Sequence, residues 1–142
     1  MAAGAGPRGA VRLHSDETGV DGHRVRLVLA EKGIAAEIEY VDGRDGPPAA
    51  ALEISPRGEL PVLVDRDLGL HGVHVIVDYL DERYPHPPFL PMDPVSRART
   101  RLALHRVERD WYPLLAAAAE GSGEAGAALG AALAEADEVF AA

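Results

Sequence analysis

Over the first half of the chain the apolar positions switch between two periods. Residues 11–15 and 36–41 have the composition of strands, and in the second Ile38 and Tyr40 alternate with Glu37 and Glu39, which predicts one buried face and one wet one. Between them, over residues 23–32, Val25, Val28, Leu29 and Lys32 fall at helical spacing, and Gly33 supplies the left-handed stop that ends a helix. These three segments make a βαβ unit. A turn-rich stretch, residues 42–48, leads to a short apolar piece at 49–54 and then to Leu60-Pro61-Val62-Leu63-Val64. Pro61 has no N–H to give a ladder, so it marks the first position of a strand. Residues 67–70 can pair back on that strand through a turn at Asp65-Arg66. Val73, Ile76, Val77 and Leu80 then recur at the spacing of one helix face, with Asp78, Asp81, Glu82 and Arg83 on the expected solvent side, and Pro85 ends the helix.

The order βαβ, a variable segment, then ββα predicts an α/β thioredoxin-like domain over residues 11–84, with a mixed four-stranded sheet and helices on both faces. A Pro-rich linker is expected at 85–93. Beyond it Asp93 and Pro94 have the character of a helix N-cap and first residue, and a long helix runs towards Tyr112, where Pro113 bends or ends it. The Gly/Ala-rich stretch 116–130 reads as a loop or a frayed helix start. Trp111, Leu114 and Leu115 extend an apolar stripe from the long helix, and Leu129, Leu133, Ala136 and Phe140 share a face of the last one. Residues 94–142 are therefore read as a partial all-α domain, and residues 1–10 as a disordered tail.

Composition narrows the functional classes. The 142 residues include no cysteine, which excludes disulfides, thiolate metal sites and cysteine nucleophiles and suits a reducing compartment. The N-terminal residues lack the apolar core of a signal peptide and no run is long enough to cross a bilayer, so the expected location is the cytoplasm. A net charge of -9, from 23 acidic and 14 basic residues, disfavours direct binding to nucleic acid or to anionic membranes. Locally the balance reverses: Arg97, Arg99, Arg101, Arg106 and Arg109 fall in one predicted helix. A solvated face, intersubunit ion pairs and a surface for an acidic protein partner all fit that run.

Two constellations carry candidate chemistry on their residues alone. His71 and His74 form an H-x-x-H without a third ligand at motif distance, so no metal site is assigned. In Pro85-His86-Pro87 the flanking prolines restrict the backbone and leave few amide donors, which presents His86 as a preorganised knob. A helix stop joined to a linker accounts for the same residues equally well.

Four blocks, in order, carry a family resemblance: His23-Arg24-Val25-Arg26-Leu27-Val28-Leu29-Ala30-Glu31-Lys32-Gly33; Leu60-Pro61-Val62-Leu63-Val64-Asp65; Tyr79-Leu80-Asp81-Glu82-Arg83-Tyr84-Pro85-His86-Pro87-Pro88; and His105-Arg106-Val107-Glu108-Arg109-Asp110-Trp111-Tyr112. Together they resemble the stringent starvation protein A family of the glutathione S-transferase-like superfamily, over residues 11–112 and more weakly beyond. The resemblance implies a transferase fold, a homodimer, and a non-enzymatic regulator that associates with the sigma-70 RNA polymerase holoenzyme under stress. Pro85, His86 and Pro87 match that family's polymerase-contacting surface, while Asp93 stands where a tyrosine is usual shortly after it.

The same resemblance locates what a transferase would need. The position of a cysteine-type nucleophile falls on Gly19 and its following proline on Val20, and the Glu-Ser or Gln-Ser pair that holds glutathione is Gly72-Val73. Catalytic residues are therefore expected to be absent, and neither glutathione nor any other cofactor is expected. The alternative, a glutathione-conjugating or glutathione-binding protein, would draw on Ser15 and Thr18 as nearby hydroxyls and on Leu60 before a cis-Pro61 as a peptide groove. A cis-proline that only shapes the strand entry is the preferred reading of Pro61, and a retained peptide groove the lesser one. Because such relatives continue with further helices, the short second domain implies apolar surface that a second subunit covers.

Overall fold

A computed structural model describes residues 10–140, with side chains described as far as Glu138, so nearly all of the expected N-terminal tail and the Phe140 side chain lie outside it. Among the described residues the elements follow as β1 (Val11–Ser15), α1 (Val20–Glu31), β2 (Ala36–Tyr40), α2 (Ala49–Ile54), β3 (Val62–Asp65), β4 (Leu68–His71), α3 (Val73–Arg83), α4 (Pro94–Arg106), α5 (Tyr112–Ala119) and α6 (Gly123–Phe140), with a wider π-helical turn at Val107–Trp111. The chain divides into two compact units between Phe89 and Leu90, so the break falls inside the expected linker and the Pro-rich run stays with the first unit.

The first unit is a mixed four-stranded sheet of order β2-β1-β3-β4. β1 and β2 are parallel, with Leu13 opposite Ile38, and β3 is antiparallel to both of its neighbours, with Leu63 opposite Leu13 and Leu70. The parallel pair follows from the α1 crossover and the antiparallel pair from a tight turn at Arg66-Asp67, one residue beyond the expected position. Val11, Leu13, Val25, Val28, Leu29, Leu63, Ile76 and Leu80 form one buried cluster, which seals α1 and α3 against one face. Each such side chain stabilises by about 1.5–3 kcal/mol on leaving water. On the other face Gly69 lets Ile54 of α2 lie on the sheet, since a β-carbon there would come within 2.6 Å of Ile54.

Two expectations change here. Ile38 and Tyr40 do lie on the same side as Leu13 and Ser15, yet they are 37% and 51% exposed because β2 is an edge strand that α1 does not cover. Alternation reports which side a residue takes, not what packs upon it. The stretch 116–130 is helical: α5 runs to Ala119, Gly121 turns the chain at φ 98°, and α6 starts at Gly123. Alanine's helix propensity outweighs the interspersed glycines.

The second unit consists of α4 to α6. Asp93 caps α4 by accepting the Ser96 N–H at 2.8 Å, a bond that lowers the carboxyl pKa below its ordinary value. Pro113 does not end the helix: α4, the π-helical turn and α5 follow without a break, Trp111 and Tyr112 keep helical φ/ψ, and the wider turn, with the Tyr112 N–H on the Val107 carbonyl, lies immediately before the proline. Ala125 is the one residue of this unit buried among those described, and Leu102, Leu115 and Leu133 are between 43% and 52% exposed.

Candidate functional site

At each end of α1 a basic side chain, Arg26 of the helix or Lys32 at its C-cap, ties down an irregular segment. At the N-terminal end an open cavity of about 630 Å³ is walled by the loop after β1 (Asp16, Glu17, Thr18), by the end of β2 and its loop (Tyr40, Asp42, Pro47), and by Leu60. Its charged lining is three carboxylates with no basic side chain. The Leu60–Pro61 peptide is cis, with Leu60 on the wall and Pro61 buried behind it.

Ser15 is not on that wall. It is fully buried, and its hydroxyl accepts from Arg26 Nη1 at 2.6 Å while donating to the Asp16 carbonyl at 2.9 Å. Arg26 also donates to the carbonyls of Asp16 at 2.8 Å and Glu17 at 3.3 Å, and its guanidinium lies 5.5 Å from the centre of the Tyr40 ring. Gly22 admits this arrangement, since a β-carbon there would be 2.6 Å from Asp16 Oδ1. Of the two hydroxyls expected near the site, Ser15 and Thr18, it is Thr18 that lines the cavity, and it is exposed.

Gly19 is the N-cap of α1 and offers no side chain, and a β-carbon built on it would lie 2.6 Å from Cγ of Asp16. The Asp16 carboxylate thus overlies the position that the resemblance assigns to a cysteine nucleophile. A carboxylate beside a thiol raises the thiol's pKa, the opposite of what thiolate chemistry needs. At the start of α3, Gly72 takes φ 86° with no side-chain cap, and Val73 packs against the core; neither lines the cavity.

At the C-terminal end Lys32 reaches the Pro-rich run. Its side chain is fully buried, and Nζ donates to Asp81 Oδ1 at 2.7 Å, to the Tyr84 carbonyl at 2.7 Å and to the Pro87 carbonyl at 2.8 Å. The Phe89 ring lies 4.3 Å from Nζ, and the same Asp81 oxygen accepts the Phe89 N–H at 3.1 Å. Asp81 therefore faces inward, at 17% exposure, and not to solvent as its neighbours in sequence suggested. Pro85, His86, Pro87 and Pro88 are all exposed, and the His86–Pro87 peptide is cis. Sequence reasoning missed Lys32 and Asp81 as partners; the available signal was a lysine on the apolar stripe of α1.

The remaining candidates stay apart. His71 closes β4 while His74 lies on α3, so the pair does not share a helix face, and His71 Nδ1 is 3.8 Å from Glu59 Oε2. Among the described residues no group of three or more His, Asp or Glu side chains is placed to hold a metal. Arg99, Arg101, Arg106 and Arg109 are exposed, and Arg109 pairs with Asp110 at 2.7 Å. No helix among the described residues is long and apolar enough to cross a membrane.

A βαβ-ββα sheet with a cis-proline at the entry to β3, and a cavity beside the N-terminus of α1, define a glutathione-transferase-like N-terminal domain. Residues 13–88 match the family model "Glutathione S-transferase, N-terminal domain", and the chain belongs to that family. Within it the chain is similar to stringent starvation protein A homologues: 48% identical over 125 residues to that of Pasteurella multocida, and 44% over 122 residues to that of Haemophilus influenzae. Each alignment covers 86% of this chain and 57% of the relative, so the chain spans little more than half their length. Among solved structures, a Tau class glutathione S-transferase from mango superposes with a TM-score of 0.70 at 28% identity, over 93% of this chain and 60% of that one.

Proposed function

We propose that this protein is a non-enzymatic transcription regulator of the stringent starvation protein A type, which binds the sigma-70 RNA polymerase holoenzyme in the stress response through Pro85, His86 and Pro87. The observation that carries it is the exposed Pro85–Pro88 turn, in which three prolines leave His86 the one N–H, in a chain similar to homologues of that name. Replacing Pro85, His86 and Pro87 together by alanine abolishes retention of polymerase in a pull-down and leaves the circular dichroism spectrum unchanged. A triple variant that binds as well as wild type overturns the proposal.

Turnover is not part of this function. Gly19 beneath the Asp16 carboxylate, the committed Ser15 hydroxyl and a start of α3 that offers no polar side chain at Gly72 or Val73 support a protein that neither conjugates glutathione nor is held on immobilised glutathione. Conjugation that disappears on Ser15→Ala or Thr18→Ala would favour the enzyme instead. The exposed Leu102, Leu115 and Leu133 support a homodimer as the working form, with the location cytoplasmic. Sedimentation at micromolar concentration as a compact monomer would remove the dimer.

A further inference from the structure

The Pro-rich turn makes no ladder or helix bonds of its own, and prolines at 85, 87 and 88 can donate none. The prolines restrict its dihedrals, but what ties the turn to the rest of the domain is the ammonium of Lys32. Three N–H bonds meet three acceptors, the Asp81 carboxylate and the carbonyls of Tyr84 and Pro87, so the donor capacity of the lysine is filled. The two carbonyls bracket Pro85 and His86, which closes the turn from beneath. Asp81 takes the Phe89 N–H as well, and the Phe89 ring covers the ammonium from the far side.

A buried ion pair stabilises a fold no better than a well-packed apolar pair of the same volume, but its bonds have direction. Resting on the polymerase-binding function proposed above, we infer that Lys32, with Asp81, is the positioning residue of that surface: it holds both ends of the turn so that His86 is presented in one geometry before a partner arrives. The lysine side chain is fully buried, so the ammonium is not itself a contact surface. Its effect on binding passes through the turn, as a saving of the order that His86 would otherwise lose on association.

The test compares the full chain with a Lys32→Met/Asp81→Leu double variant, which removes the clasp without stranding a buried charge. In wild type the heteronuclear NOE of the His86 amide equals that of α3, and the Phe89 amide exchanges slowly. In the variant the His86 value falls, Phe89 exchange accelerates at least about tenfold, Leu13 and Leu63 amides are unaffected, and polymerase retention weakens about tenfold. A purely structural role leaves the penalty of His86→Ala unchanged; a positioning role makes that penalty smaller in the double-variant background. An unchanged Phe89 exchange rate with unchanged binding overturns the inference. So does a low His86 NOE in wild type, which decides the matter by itself should the variant not fold. Failure of wild type to retain polymerase removes the proposed function, while the two amide measurements still decide the clasp.

Discussion

The two ends of α1 use one device to opposite effect. Arg26 and Lys32 each donate to backbone carbonyls that no strand or helix pairs, and each thereby holds an irregular segment in place. At the Arg26 end the tie consumes the Ser15 hydroxyl, and what the loop turns outward is Asp16, Glu17 and Thr18, a surface with carboxylates where a thiolate would need donors. At the Lys32 end the tie draws only on Asp81 and carbonyls, and what the turn leaves outside is His86 between prolines. A basic side chain organises a loop in both cases. Whether the outcome is an acidic cavity wall or an exposed Pro-His-Pro turn depends on which side chains the organised loop turns outward.

Disturbing the Lys32 end has the largest expected effect on stability. Lys32→Met alone strands the Asp81 carboxylate and destabilises the first unit by about 3–5 kcal/mol, read as a lowered urea midpoint, and adding Asp81→Leu recovers most of the loss. A cost under about 1 kcal/mol for the single variant would mean that the ammonium is not desolvated, and the comparison would fail. Arg26→Met comes next, at about 1.5–3 kcal/mol for its lost charge-assisted bonds, and it brings no gain in glutathione conjugation because Ser15 stays buried. Conjugation appearing in that variant would show that Arg26 is what silences the site.

The smallest effect is a control. Tyr79 donates to Asp65 Oδ2 at 2.7 Å, joining α3 to β3 without touching either loop. That hydrogen bond, with burial second, raises the tyrosine pKa above its ordinary value. Because the folded-state value lies above the unfolded one, the stabilisation is fully present at neutral pH and is lost only as pH rises past about 10 and through the folded value. Tyr79→Phe therefore lowers stability by about 1 kcal/mol at pH 7, flattens the alkaline limb of the stability profile, and leaves Phe89 amide exchange as in wild type. A change at Phe89 would mean that the turn senses global stability and not the clasp.

Much of the first unit was legible in advance. The βαβ-ββα order, the Gly33 stop at φ 63° and the Asp93 cap all follow from local rules, because periodicity, left-handed backbone and capping oxygens act within a few residues. The missing side chains at Gly19 and Gly72 were equally readable, since nothing distant can restore a side chain that the residue type lacks.

Burial and pairing were not legible in this way. Ile38 and Tyr40 have the pattern of a covered face and remain only partly covered, because cover depends on where α1 crosses the sheet. Ser15 reads as an available hydroxyl until Arg26, eleven residues on, is folded back over it. Asp81 reads as solvent-side until α3 lies beside α1 and brings it to Lys32, 49 residues away in the chain. The sequence alone thus determined the order of elements, the absence of cysteine chemistry and the residues of the Pro-His-Pro turn. Only the tertiary structure decided which basic side chain holds which loop, because a charge pairs with whatever the packing of helices places within 3 Å, whatever the separation along the chain.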